Sequence, residues 1–521
     1  MNLLKPIAAI LALTGAASPA FAQDRPDIVV AVPAVHRTLE PIDGNSTNAA
    51  RIQSNIFDQI VTRNFAEDPE GAELRPAIAT AWEQVDDLTW HFTIREGVTF
   101  HNGDALTAED VAFTISEERV WGDDALVPAG KRYTESFASV TALDATTVEV
   151  KTTINDPNLP FRFLTPLGHV VPKAHYLEVG SEAFGQNPIG TGPYKLAGYD
   201  ATGFVKLEAN DDYWGGTPPM ASVEFRAVPE YSARIAGLVS GEFAMMSDIP
   251  QDEVETVQGY NDITYIAKPI GNYVMVAYNT LQIEGFGDNP VADVNLRYAM
   301  TSAVDREALV AALWGDQTFA PAPFNFPDFP EYYDASIEPK IGYDPEAARA
   351  YLEKADYNGE PVTINIVRGA FPNFDIAMEF VAEQWQAIGI NAQLNIVDSW
   401  PLALQHPFGL LNMSMTTSFD GTPTRAIWGF WGPDSARATR ERDRSWSPPA
   451  EFVTLGEQYL AETDTQAKRV LFRQMVDIWE TEQPALILWR TVANWAVSDT
   501  LQWTPINSVW ILLGPDYVTV K

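Results

Sequence analysis

The residue types that carry most enzyme chemistry are present in this chain, but they are not grouped for it. Six histidines (His36, His91, His101, His169, His175 and His406) are scattered without the short spacings that hold a metal. There is no G-x-S-x-G nucleophile elbow, no phosphate-cradling G-x-x-x-x-G-K-[ST] loop and no H-E-x-x-H zinc helix. Asp and Glu number 70, so a carboxylate pair carries no glycosidase signal by itself. Cysteine is missing altogether, which removes disulfides and thiolate metal sites. The expectation is a protein that is not an enzyme and that uses no cofactor and no metal. Groups suited to holding a small solute do cluster, in TRAIWGFWGPDS at residues 424–435. There Trp428 and Trp431 can stack on a sugar ring or an apolar side chain, or simply pack between lobes. Arg425 can pair with an acidic group.

Such groups need a scaffold, and the bulk numbers describe one. Residues 1–22 read as a secretion signal. Lys5 supplies the charge, residues 7–17 the apolar run, and Ala20-Phe21-Ala22 the small-x-small cleavage site before Gln23. That run is shorter than the roughly 20 apolar residues a bilayer span needs. No cysteine follows the cleavage site, so no lipid anchor is expected. Net charge is −36, and −37 once Lys5 leaves with the signal. This disfavours nucleic acid and anionic membrane as partners. With 46% hydrophobic residues, the chain has ample material for a core.

Helix and strand signals interleave throughout, which argues an α/β or α+β fold. Residues 89–94 alternate as a half-buried strand: Trp90, Phe92 and Ile94 on one side, Thr89, His91 and Thr93 on the other. Thr107-Ala108-Glu109-Asp110 forms a capping box that starts a helix through Val111, Phe113 and Ile115. Short strands are predicted at residues 148–151, 204–207 and 391–397. Residues 293–314 are helical, with Asp305 as a second N-cap, and residues 374–388 form a helix ended by Gly389. The proline-rich residues 321–330 read as an exposed loop. Most of the tryptophans near the C-terminal end are expected in the core.

Several blocks resemble one known family. WHFTIREGVTFHNGDALTAEDVAFTI at residues 90–115 is similar to the signature of the family 5 extracellular solute-binding proteins, the dipeptide, oligopeptide and nickel group. ATAW at 79–82 precedes it, and GTGPYKL at 190–196, NDDYW at 210–214 and DVNLRYAMTSAVDREALV at 293–310 follow, all in the family's order. The glycines among them, Gly97, Gly103, Gly190 and Gly192, suit positive φ or close backbone approach. Arg306 reads as a surface or capping charge.

The resemblance implies an α/β, two-lobed type II binding-protein clamp with an extra subdomain in the N-terminal lobe. Lobe 1 would span 23–270, with the subdomain at about 50–180. Lobe 2 would span 271–484, and residues 485–521 would return to lobe 1. The implied function is the periplasmic, freely diffusing and monomeric substrate-binding component of an ABC importer, acting with the membrane permease subunits. The ligand is expected to be a small organic solute, first a di- or oligopeptide. An opine, an oligosaccharide or glycoside, or a metal chelate are alternatives, and a secreted hydrolase is the competing class. Peptide binders of the family hold the carboxylate with an Arg and the amine with an Asp. By similarity of position, Arg368 is the carboxylate candidate and Asp420 the amine candidate. Residues 38–47 resemble the loop that borders the cleft, which makes Asn45 and Ser46 candidate polar contacts.

Overall fold

The computed structural model describes residues 25–44, 46–63, 73–282, 287–368, 373–404, 410–416, 422–439 and 444–521. Its spine is one ten-stranded sheet. In spatial order the strands are Ala392–Val397, Val362–Val367, Leu410–Thr416, Ile263–Ala277, Ala485–Ser498, Met245–Ser247, Asp27–Val32, Ser222–Ala227, Phe204–Ala209 and Tyr194–Asp200. The two central strands have 15 and 14 residues and pair antiparallel from Ile263–Ser498 to Ala277–Ala485. At about 3.4 Å per residue each extends on the order of 50 Å, long enough to belong to two lobes. The core divides accordingly. Ile270, Ala493, Trp495 and Val497 pack with Val30, Val223 and Phe225. Val274, Val276, Leu488 and Trp489 pack with Leu296, Ile364 and Trp385. The fold is therefore a two-lobed α/β clamp.

A separate antiparallel sheet, ordered Ala79–Asp86, Thr89–Ile94, Thr147–Thr152 and Phe137–Ala142, stands beside the N-terminal lobe with its own core. Its alternation is the one expected: Trp90, Phe92 and Ile94 are buried. The helix Ala108–Thr114 follows, and Asp110 Oδ2 accepts both the Thr107 N–H (2.9 Å) and the Thr107 hydroxyl (2.8 Å). The helices Val294–Ser302 and Arg306–Trp314 are split where Asp305 caps Ala308 N–H. Gly389, with φ of +103°, ends the helix Phe374–Ala387.

The family-like blocks are joined to one another by hydrogen bonds. His101 Nδ1 faces the Gly190 N–H at 3.3 Å, and Nε2 lies 3.0 Å from Gly192 O. Burial pushes the His101 pKa down to about 4, so the ring stays neutral and serves as one donor and one acceptor. Asp58 accepts from Thr191 Oγ1 (2.9 Å), Tyr213 OH (3.0 Å) and Trp214 Nε1 (2.8 Å). A Cβ at Gly190 would meet Ile56 O at 2.1 Å, so this glycine is required by close approach.

Two expectations are corrected. Residues 321–330 are largely buried, because Phe324, Phe326 and Phe329 fill the core and Asp328 pairs with buried Arg490. Arg490 also donates to Ile270 O and Asn272 O, bracing the register shift between Pro269 and Tyr273. Arg306 is not a plain surface charge. Its guanidinium donates to Pro321 O (2.8 Å) and Ile487 O (2.9 Å), joining helix to strand.

Candidate functional site

A cleft of about 620 Å³ opens between the small N-terminal sheet and the C-terminal lobe. One wall comes from residues 132–165. The turn Pro128–Tyr133 supplies Arg132 and Tyr133, and the short helix Leu159–Arg162 supplies Arg162. Asp156 holds this wall together. Its Oδ2 accepts from Ser136 Oγ (2.7 Å) and Arg162 Nε (2.8 Å), and its carbonyl accepts from Trp90 Nε1 at 3.1 Å. Trp90 of the signature strand thus braces the cleft wall through the Asp156 backbone carbonyl. Arg132 lies 4.8 Å over the Tyr133 ring, and burial raises the Tyr133 hydroxyl above its ordinary pKa.

The facing wall combines apolar and cationic side chains. Leu411, Met413 and Met415 alternate along Leu410–Thr416, so one face of that strand meets the cleft. The wide helical turn Arg425–Gly429 brings Arg425 and Trp428 together. Turns of this kind often mark functional positions. Trp428 stacks on Phe452 with rings 6.1 Å apart and 18° from parallel. It can lie so deep because residue 456 is glycine: a Cβ there would sit 1.8 Å from Trp428 Cζ3. Arg425 packs over Phe430 at 5.3 Å, and Arg437 over Trp431 at 4.8 Å.

The sequence candidates separate on this geometry. Arg425 and Trp428 line the cleft together. Trp431 is fully buried, edge-on to Trp446 and Trp479, and acts as a floor beneath Arg437. Arg368 ends the strand Val362–Val367, is 65% exposed, and has Nε 3.6 Å from Asp398 Oδ1; it is not on the cleft wall. Ser46 caps the helix Thr47–Ile56, accepting from Ala49 N–H at 3.2 Å. Asn45 and Asp420 fall outside the described residues. Near Ser46, buried Glu40 pairs with Arg119 at 2.6 Å and accepts the Ile42 and Asp43 N–H groups, each at 2.7 Å. Arg132, Arg162 and Arg437 carry no motif, and only long-range folding brings them to the cleft.

The profile of the bacterial extracellular solute-binding proteins, family 5 middle region, matches residues 73–437. The chain belongs to this family. A glutathione-binding protein of Escherichia coli is 30% identical over 398 residues, covering 74% of this chain and 71% of its own. An oligopeptide-binding protein of Bacillus subtilis is 27% identical over 391 residues, covering 69% and 68%. Among solved structures, an ABC transporter substrate-binding protein of Listeria monocytogenes superposes with a TM-score of 0.82 at 19% identity. That match covers 96% of this chain and all of the other. This solute-binding protein is thus the substrate-capturing type of component that serves ABC importers, and its family is made of binding proteins rather than enzymes. Among the described residues, no helix is long and apolar enough to cross a membrane, and no cluster of His, Asp and Glu could hold a metal ion.

Proposed function

We propose that this protein captures a short peptide or peptide-like solute in the 620 Å³ cleft and presents it to the permease subunits of an importer. The observation that carries the reading is the cleft's double wall. Arg132, Tyr133 and Arg162 stand on one side, and Arg425, Trp428 and Arg437 on the other, so a ligand bridging them favours closure. The volume lies within the roughly 300–1,000 Å³ usual for small-molecule sites. The relatives named for glutathione and oligopeptides support a peptide ligand. Lobe 1 comprises about 23–270 and 490–521 and lobe 2 about 271–489, five residues later than the sequence boundary because Leu488 and Trp489 pack in the second lobe's core, and the lobes pivot on the paired central strands near Ile270 and Arg490. The mature chain begins at Gln23, is exported to the periplasm and works as a monomer.

The test is a thermal-shift screen of the chain from Gln23 onward with dipeptides, tripeptides, longer peptides, opines, oligosaccharides and nickel chelates. A ligand at 100-fold saturation stabilises by about 2.7 kcal/mol. A peptide-dependent rise in Tm supports the reading. A rise with opines or sugars alone overturns the peptide assignment and leaves the transport role.

A further inference from the structure

A second recess, of about 100 Å³, lies where the chain leaves the helix Thr47–Ile56 and meets the C-terminal segment. None of its lining residues lines the 620 Å³ cleft. Phe57 and Asp58 come from the end of that helix, Tyr213 and Trp214 from the NDDYW block, and Trp510 and Tyr517 from the end of the chain. Aromatic rings thus stand around the Asp58 carboxylate.

Asp58 is held by neutral donors. Tyr213 OH donates to Oδ1, and Thr191 Oγ1 and Trp214 Nε1 donate to Oδ2. Among the described residues it makes no ion pair. A carboxylate offers about four lone-pair positions, so these bonds leave one on Oδ1. Burial outweighs every influence that favours the ionised form, the field of Arg95 included, and raises the pKa to about 6. The negative charge is therefore short of compensation. The cations nearby do not supply it. Arg75 pairs with Asp516 at 2.8 Å, and Arg95 lies 4.3 Å over the Trp214 ring without lining the recess. His169 also lines the recess and is 3% exposed. Burial keeps its ring neutral, with a pKa of about 3, and its Nδ1 has no partner among the described residues.

We infer that this recess binds a small organic ammonium ion, which donates an N–H to Asp58 and rests its alkyl part on the surrounding rings. Aromatic faces attract a cation, and more strongly where water is excluded. Among the described residues no cluster of His, Asp and Glu could hold a metal ion, and an anion would meet the Asp58 charge. A water occupies roughly 30 Å³ of liquid, so the volume limits the ion to a few heavy atoms. Because the lining comes from early, middle and final parts of the chain, a bound ion ties the C-terminal segment to the N-terminal lobe.

The experiment is an NMR titration of the mature chain, isotope-labelled at its tryptophan indoles, with isopropylammonium and its neutral isostere 2-propanol at constant ionic strength. The Trp214 indole N–H, 2.8 Å from Asp58, reports the site and is assigned with Trp214→Phe. At pH 8 the ammonium should shift this signal saturably, with the alcohol bound at least about tenfold more weakly. His169 stays neutral and Tyr213 and Tyr517 are raised above their ordinary value, so these rings keep their charge state between pH 5 and 8. Asp58 does not, and its protonation should weaken ammonium binding about tenfold by pH 5. Asp58→Asn should remove the preference for the ammonium over the alcohol; if that variant does not fold, the pH series on the parent decides. No saturable shift at pH 8, equal affinity for the two probes, or the same ammonium affinity at pH 5 and pH 8 each overturns the inference.

Discussion

Gly456→Ala adds one methyl group at the back of the cleft, and the structure says where it must go. In the middle of the helix Ala450–Ala461, alanine should be the better residue by about 1 kcal/mol. The added Cβ, however, would lie 1.8, 2.2 and 2.6 Å from three carbons of the Trp428 benzo ring. Carbon atoms pack at about 3.5–4.0 Å, so the indole must retreat by roughly 2 Å or the helix must move. Phe452 stacks on Trp428 and the helix lies beneath it, so the way left is toward the cleft. Overpacking of this kind costs about 1–3 kcal/mol. Set against the propensity gain, the ligand-free protein should lose up to about 2 kcal/mol. Binding should suffer more, because an indole advanced by that distance takes on the order of a tenth of the space facing it, and a Kd raised at least about tenfold is expected. Calorimetry with the solute identified by screening reads the affinity, and urea unfolding reads the stability. Trp428→Phe removes the benzo ring, so in the Gly456→Ala background it should recover stability and couple strongly. A Gly456→Ala protein with higher stability and unchanged affinity would refute the placement of Trp428.

Other outcomes follow from the same geometry. Arg119→Leu strands Glu40 in the interior and should cost about 3–5 kcal/mol in urea unfolding; a loss under 1 kcal/mol would show that Glu40 is not a buried charge there. Desolvation raises the Asp58 pKa to about 6, above the usual carboxylate value, so its contribution favours the folded state below about pH 4 and is lost as pH rises through 6. Asp58→Asn should therefore lose stability relative to the parent as pH is lowered from 7 to 4, by up to about 3 kcal/mol before screening by residual solvent. A pH-independent difference between the two proteins contradicts this. Arg368→Ala should leave the Kd within about twofold, since the side chain is 65% exposed and beside Asp398. A tenfold weakening would bring Arg368 into the site.

Local signals were legible and remote pairings were not. The Thr107–Asp110 box, the Asp305 cap and the Gly389 terminus depend on neighbours a few residues away, and each lies where its spacing places it. The buried alternation of Trp90, Phe92 and Ile94 follows from a period of two. Residues 321–330 misled because prolines mark turns, whereas Phe324, Phe326 and Phe329 decide burial once Asp328 has a cation 162 positions away. In the cleft, Arg425 and Trp428 stood out because aromatics and arginine are adjacent in one stretch. Arg162 stands alone in sequence, and its role depends on Asp156, Ser136 and Trp90 meeting around it.

The shared central strands also set an order of events in synthesis. The N-terminal lobe lacks a middle strand until Ala485–Ser498 arrives, because Met245–Ser247 pairs with Trp495–Val497 and not with anything earlier on that side. Its core also waits for Leu501, Trp503, Ile511, Leu513 and Val518. A ribosome that has made the first half has therefore made a lobe that cannot close on itself. Such contacts, between the first and last parts of the chain, form slowly. The topology itself leaves the N-terminal lobe's sheet and core incomplete until the last residues of the chain are present.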